Sequence, residues 1–405
     1  GLSVADLLGG RVRNSIPLSF SIADPDFTAD MARMEAMVET GNTIFKVKTG
    51  VKPHAEDMAH LEAMRAAFGD RIDLRLDYNQ ALQPFGAITV LRDVDQFRPT
   101  FIEQPVPRDC LTAMASFAAD CAVVTYEFEN VPVAPLAALG TATLLPNARA
   151  LEVAQDRLNE KRFVTDLGGK PAPFAAVDTA DDLQRAVETI GAPGILKTRR
   201  DGYDGKGQWR IMTAADAAEV ALTGQPLVYE GFVNFTAEFS VILCRAQDGT
   251  IVFWDSAENV HKGGILDRST VPAGPVIAAQ VPAAQELAAK VAAALDYVGV
   301  LTLEFFAPAE GPVFNEMAPR VHNSGHWTIE GALTSQFENH IRAICGLPLG
   351  DPALAAQGVE MWNLIGDEAH DWAPILSDPR NHLHLYGKAA ARAGRKMGHV
   401  TRLTL

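Results

Sequence analysis

This chain is short of everything that would fasten it to a disulfide framework, a bilayer or a nucleic acid. Its 405 residues include four cysteines, at 110, 121, 244 and 345. None form a CxxC pair and no His stands at zinc-like spacing from them, so a reduced, cytoplasmic protein is expected. No apolar run approaches the roughly 20 residues that cross a bilayer, and no secretory leader pattern opens the sequence. Cationic side chains are outnumbered, 35 Lys and Arg against 50 Asp and Glu, for a net charge of −15. A duplex-binding surface needs the opposite balance, so neither nucleic acid nor membrane is an expected partner. The chain also opens on Gly1 rather than Met, as a fragment, a processed chain or an incomplete gene model would.

What is present is ordinary globular material, 48% hydrophobic and 21% charged, in a length that suggests about two or three domains. Strand-like and helix-like runs alternate along the front at the lengths of βα units. Strands are predicted at 16–22, 44–48, 72–76 and 99–103, and helices at 30–39, 55–68 and 87–97. Such a series predicts a parallel sheet or part of a barrel. Composition then shifts: five of the ten Met lie between 31 and 64, while all five Trp lie beyond 200. That contrast agrees with a seam near 109–120. Beyond it come a short predicted strand at 121–125, a basic helix at 156–167, and strands near 194–198, 227–230 and 238–245. A helix at 283–295, a hairpin from 300–306 and 313–317, and a small C-terminal unit from about 346 complete the reading.

Three segments carry chemistry. The first is 197–208, KTRRDGYDGKGQ, which follows a strand. Gly202, Gly205 and Gly207 free the backbone to aim N–H groups at phosphate, while Lys197, Arg199, Arg200 and Lys206 bring positive charge. It is not a P-loop, and an exposed hairpin tip with scattered charge is the competing reading. The second is the hairpin, where Glu304 and Glu316 are symmetric about a turn centred near 310. They should face each other on one side of the sheet. Opposed carboxylates among apolar neighbours need a cation or a proton between them, and a hard cation shared with nucleotide phosphates supplies one. Asn315 points the other way in a regular strand, so the strand must bend if Asn315 is to reach the same ligand. The third is 319–327, PRVHNSGHW, which crowds Arg320, His322, Asn323, Ser324 and His326 before a predicted helix at 336–344. A one-sided basic run closes the sequence at 388–405, with Lys388, Arg392, Arg395, Lys396 and Arg402 and no acid. It is either a solvated face or a substrate-phosphate site.

Together, 124–132 (VTYEFENVP), 197–208, 229–233 (YEGFV), 315–327 and 387–401 resemble N5-carboxyaminoimidazole ribonucleotide synthetases, ligases with an ATP-grasp fold. The resemblance runs from about residue 118 to the end. It implies ATP contacts from Arg157, Lys197, Gly202, Tyr203, Asp204, Gly205, Lys206, Gly207, Gln208, Glu230, Gly231, Phe232, Val233, Glu238, His261, Asn315 and Glu316. It implies Mg2+ on Glu304 and Glu316, and catalytic roles for Lys197, Lys206, Arg320 and His322. Substrate contacts are implied for Glu129, Tyr229, Asn323, Ser324, Lys388, Arg395 and Lys396. ATP would phosphorylate bicarbonate, and the carboxyphosphate would carboxylate aminoimidazole ribonucleotide. The family also implies a possible homodimer.

The front departs from that family. FKVKTG at 45–50, DYNQ at 77–80 and FIEQP at 101–105 resemble the muconate cycloisomerase branch of the enolase superfamily. There Lys48 would be a base, with Asp77 and Glu103 as metal ligands at strand C-termini. No later segment continues that pattern. The expected fold class is therefore α/β and α+β. It divides into a partial (β/α) barrel fragment over 1–115, a remnant and linker over 116–155, an ATP-grasp domain over 156–345 and a small domain over 346–405. A cycloisomerase fragment, or a chimera of joined reading frames without a natural role, stands as the alternative.

Overall fold

Runs rich in β-branched and aromatic residues, set between helical runs with an apolar stripe, fold largely as the alternation predicts. The computed structural model of this chain describes residues 19–23, 26–107, 109–200, 207–220, 222, 224–386, 392 and 394–404. They fall into two compact units. One takes the residues up to 124 with 134–143, the other 125–133 with 144 onward. No described helix is long and apolar enough to cross a membrane.

In the front unit, β1 (Ser19–Ile22), α1 (Phe27–Glu39), β2 (Ile44–Lys48), α2 (His54–Phe68), β3 (Asp73–Asp77), α3 (Ala87–Asp95), β4 (Phe101–Glu103) and α4 (Leu111–Ala118) come in turn. The strands are parallel, in the order β1-β2-β3-β4. Phe45, Leu74 and Leu76 of the sheet are buried with Met34, Leu61, Met64 and Val94 of the helices. The partial barrel expected here is instead an open sheet. Closing a barrel takes about eight strands, and among the described residues four are present, leaving two edges. The strand predicted at 121–125 does not form either. Val124 N donates to Thr143 O at 2.8 Å as an isolated contact, because an apolar run without a neighbouring strand has nothing to pair with.

In the second unit, α5 (Ala148–Ala154) and α6 (Arg157–Asp166) precede β5 (Phe174–Val177), α7 (Ala180–Ile190), β6 (Gly194–Thr198), β7 (Gln208–Ile211), α8 (Ala214–Glu219) and β8 (Leu227–Gly231). These strands make a small antiparallel sheet in the order β5-β8-β6-β7. A capping box of Thr179 and Asp182 starts α7, which buries Leu183, Ala186 and Val187, a spacing that shares one helix face. The chain continues through β9 (Ala237–Arg245), β10 (Ile251–Phe253), β11 (Ala257–Lys262), β12 (Ile265–Val271), α9 (Pro275–Ala278), α10 (Val281–Ala294), β13 (Gly299–Ala307) and β14 (Val313–Ala318). After them come α11 (Thr328–Gly331), α12 (Gln336–Ile344), β15 (Gly358–Ile365), α13 (Trp372–Leu376), β16 (Asn381–Leu385) and β17 (Lys396–Thr404). One nine-stranded sheet results, in the order β14-β13-β9-β11-β12-β15-β17-β16 with β10 on β9.

Alternation sends Phe239, Val241 and Leu243 of β9 and Leu301, Leu303 and Phe305 of β13 to one face. There α10 covers them with Ala284, Ala288, Val291 and Ala292. The large strand side chains contribute about 2 kcal/mol each on burial, and the small alanines let the helix lie close. This packing holds the hairpin of β13 and β14 in place. Glu304 pairs with Glu316, and the register then slips so that Phe305 pairs with Phe314. Asn315 is the extra residue of a β-bulge. The strand is thus bent where it had to bend for Asn315 to reach the same ligand as Glu316.

Candidate active site

β13 and β14 set Glu304 and Glu316 opposite each other. Glu304 is buried, and that burial, followed by the charge of Glu316, pushes its carboxyl up to about 7. His322 Nε2 stands 3.5 Å from Glu304 Oε1. Burial, with Arg320 and Lys396 nearby, holds that imidazole well below its usual range, so His322 is neutral and does not balance the pair. His261 is the better counter-charge. Its Nδ1 lies 2.5 Å from Glu238 Oε2. Burial opposes its charge, but the bond to Glu238 and the fields of Glu304 and Glu316 raise its pKa. Among the described residues, no three His, Cys, Asp or Glu side chains converge as a complete metal cage. Two carboxylates, with the other positions left to phosphate and water, suit Mg2+.

Two lysines gather on Glu230, which β8 carries in the interior of the small sheet. Lys197 Nζ donates to Glu230 Oε2 at 2.9 Å. Lys161 of α6 lies 3.2 Å from the same oxygen and donates to Asn315 O at 3.1 Å. Burial drives the Lys161 pKa down while Glu230 pulls it up. Burial would raise the Glu230 pKa, but the two lysines outweigh it and hold the carboxyl below its usual range. Glu230 Oε1 is buried with no partner among the described residues, an acceptor open to a ligand donor. Asp156 caps α6 by accepting from Leu158 N and Asn159 N, and Arg199 donates to its two oxygens at 3.0 and 2.7 Å. Arg157 Nη1 donates to Thr198 O at 3.0 Å. These contacts tie the start of α6 to the start of the glycine loop. Gly207 has φ +66°, and a Cβ there would lie 2.8 Å from Thr198 Oγ1, so glycine is required. Gln208 pairs with Lys197 across the sheet. Gly202, Tyr203, Asp204, Gly205 and Lys206 lie outside the described residues, as does Lys388.

A third group converges from 125–133 and 319–327. Glu129 and Arg320 form an ion pair. Burial would raise the Glu129 pKa, but Arg320 and then Lys396 lower it. Gln155 Nε2 donates to Glu129 O at 2.7 Å and to Val131 O at 2.5 Å. Gln336 straddles His322, accepting from its N at 2.9 Å and donating to its O at 2.7 Å. Ser324 Oγ donates to Ser240 Oγ at 2.8 Å, and Asn323 and Asn363 exchange hydrogen bonds at 3.0 and 2.7 Å. Lys396 is half-buried and Arg395 exposed at the start of β17.

Tyr229 does not join these groups. Alternation along β8 turns it away from Glu230 into the core, where its hydroxyl donates to Gly191 O at 2.7 Å. Gly231 N and Phe232 N are already committed to Pro173 O and Pro193 O, at 2.8 and 3.0 Å, which leaves the exposed Phe232 ring and Val233 at the strand end. In the front unit Lys48 is ion-paired with Asp77, and Lys46 lies 3.0 Å from Glu103. Both carboxylates there already have cationic partners. Lys161, Glu160, Gln155 and Gln336 are the residues that the sequence pattern did not single out. Lys161 had one weak signal, a Lys four residues after the first residue of a short capped helix.

Two lysines sharing the buried Glu230, beside a hairpin that sets Glu304 opposite Glu316 and carried with it on two antiparallel sheets, are the arrangement of an ATP-grasp enzyme. The family model for the ATP-grasp domain matches residues 162–337, and that for the phosphoribosylaminoimidazole carboxylase C-terminal domain matches 360–404. An enolase C-terminal domain-like model matches 29–135. The chain is 50% identical over 297 residues to the N5-carboxyaminoimidazole ribonucleotide synthase of Brucella melitensis, covering 72% of this chain and 82% of the relative. This chain belongs to the N5-carboxyaminoimidazole ribonucleotide synthase family. The crystal structure of the Thermus thermophilus synthetase aligns with a TM-score of 0.69 at 42% identity, over 88% of this chain and 93% of that one. The Aspergillus clavatus synthase in complex with ADP and 5-aminoimidazole ribonucleotide aligns with a TM-score of 0.66 at 26% identity, over 96% and 94%.

Proposed function

We propose that this chain uses ATP and bicarbonate to carboxylate 5-aminoimidazole ribonucleotide, giving N5-carboxyaminoimidazole ribonucleotide, ADP and phosphate. The observation that carries this reading is the convergence of the Glu304–Glu316 pair, the lysines on Glu230 and the Arg320–Glu129 pair in one compact unit. A bicarbonate oxygen attacks the γ-phosphorus and ADP leaves. The amine of the substrate then attacks the carbonyl carbon of carboxyphosphate, phosphate leaves, and the amine gives up a proton. Lys197, with Lys206, offsets charge on the transferring phosphoryl group. Arg320, held by Glu129, orients the anionic carboxyl donor. His322 is neutral and its Nδ1 accepts from Ser324 N, so its Nε2–H serves as a donor to an oxygen of the carboxyl group being transferred, while Gln336 holds its backbone. Arg395 and Lys396, with Lys388, hold the substrate phosphate. When bound on Glu304 and Glu316, Mg2+ would neutralise the nucleotide phosphates.

Purified protein should release phosphate from ATP when bicarbonate and aminoimidazole ribonucleotide are both supplied. Arg320→Met should lower kcat by about a hundredfold with the KM for ATP within about threefold. Equal phosphate release without aminoimidazole ribonucleotide overturns the reading. The match over 29–135 favours a second reading, a cycloisomerase front. Muconate absorbance in the presence of Mn2+ tests it, and no loss is expected while Lys46 and Lys48 occupy the carboxylates.

A further inference from the structure

β14 is the outer strand of the large sheet, so backbone groups on its free side need partners from elsewhere. α6 provides them. Glu160 Oε1 accepts from Met317 N at 2.6 Å, and Lys161 Nζ donates to Asn315 O at 3.1 Å. Asn315 and Met317 are the two neighbours of Glu316 in the chain. Glu160 and Lys161 are 2% and 1% exposed. Two ionisable side chains have thus been taken out of water to hold two peptide groups, where apolar residues would fill the space without the desolvation penalty. The bulge at Asn315 makes the place vulnerable. A bulged residue is unpaired in the ladder, and a slip of one residue would turn Glu316 to the wrong face. Lys161 also meets Glu230, so the same helix links the hairpin to the small sheet.

We propose that Glu160 and Lys161 are positioning residues for the cation site: they bracket Glu316 from the open edge of β14 and fix its carboxylate opposite Glu304. This rests on the reading that Glu304 and Glu316 hold Mg2+, and it adds what sets their relation.

The test uses the full chain, Mn2+ as the probe cation, and two measurements: Mn2+ binding in the presence of ADP by paramagnetic resonance, and ADP binding in EDTA by calorimetry. Glu160→Leu removes the acceptor, and Glu160→Gln keeps one. Glu160→Leu should weaken Mn2+ by about tenfold or more, while Glu160→Gln stays within about twofold of the parent. ADP affinity in EDTA should change by less than about twofold in both. Equal Mn2+ affinity in Glu160→Leu and the parent overturns the proposal. A parallel loss of metal-free ADP binding does so too, since it marks general loosening. Should Glu160→Leu not fold, Glu160→Asp withdraws the acceptor by one methylene and is read the same way. Glu316→Gln separates the two readings. If it leaves Mn2+ affinity unchanged, the metal assignment fails. If it abolishes binding while the Glu160 variants bind like the parent, the bracket alone fails.

Discussion

Glu230→Gln should be among the most damaging isosteric changes in this protein, and the structure says by how much. Glu230 is shared by Lys161 at 3.2 Å and Lys197 at 2.9 Å. The amide keeps the shape and removes the charge, so the 1%-exposed Lys161 loses its ion-pair partner and keeps only the field of Glu160. Breaking one side of a buried ion pair costs about 3–5 kcal/mol. Lys161→Met is milder, because Glu230 keeps Lys197 and the loss reduces to an Asn315 carbonyl without its donor, about 1–3 kcal/mol. The double variant removes the stranded ammonium altogether. It should fall short of the summed losses by at least about 1 kcal/mol. The larger unit holds roughly 270 residues. At about 2.1 cal/mol/K per residue it has an unfolding entropy near ~0.6 kcal/mol/K, so Glu230→Gln should lower Tm by about 5–9 °C. Scanning calorimetry on the four proteins of the cycle reads this directly. Strictly additive losses, or a Lys161→Met cost equal to that of Glu230→Gln, would refute the shared-carboxylate argument.

Two further outcomes come from the ionisable groups. The Glu304 carboxyl sits at about 7 in the folded protein, against about 4.3 when free. Between those values the folded state holds more protons than the unfolded one, so without a cation stability falls as pH rises through that window. Protons compete with the metal on the same oxygen, so Mn2+ titrations should show about tenfold weaker binding at pH 6 than at pH 8; a flat profile would contradict the raised carboxyl. Lys48→Ala removes one of the two lysines on Asp77 in the front unit and leaves Lys46 at 3.5 Å. Ligase turnover should stay within about twofold of the parent, and a tenfold fall in coupled phosphate release would show that the front cluster takes part.

The hairpin could be read in advance because a turn of known centre fixes which residues oppose each other, and Glu304 with Glu316 needed nothing more. The bulge could be stated as a condition, but its position depends on how Phe305 and Phe314 pack. Lys161 could not be read. A basic residue on a short helix is normally solvated, and its burial results from where α6 docks, which no local pattern encodes. Tyr229 was misplaced for the opposite reason. The motif around Glu230 carried it along, while strand alternation, legible from the start, turns it into the core. The barrel expectation failed because βα units look alike whether or not their sheet closes. Cys121 to Thr125 showed that apolar content without a partner strand makes no strand.

The order of the large sheet bears on how this protein is made. β17 lies between β15 and β16, which have no pairing with each other among the described residues. During synthesis β15 and β16 emerge first and wait with exposed edges until residues 396–404 appear and zip between them. The hairpin, β9 and α10 can already be assembled by then. A stalled or prematurely released chain would therefore carry a formed nucleotide half beside two open strand edges, the kind of surface that chaperones bind and that seeds aggregation.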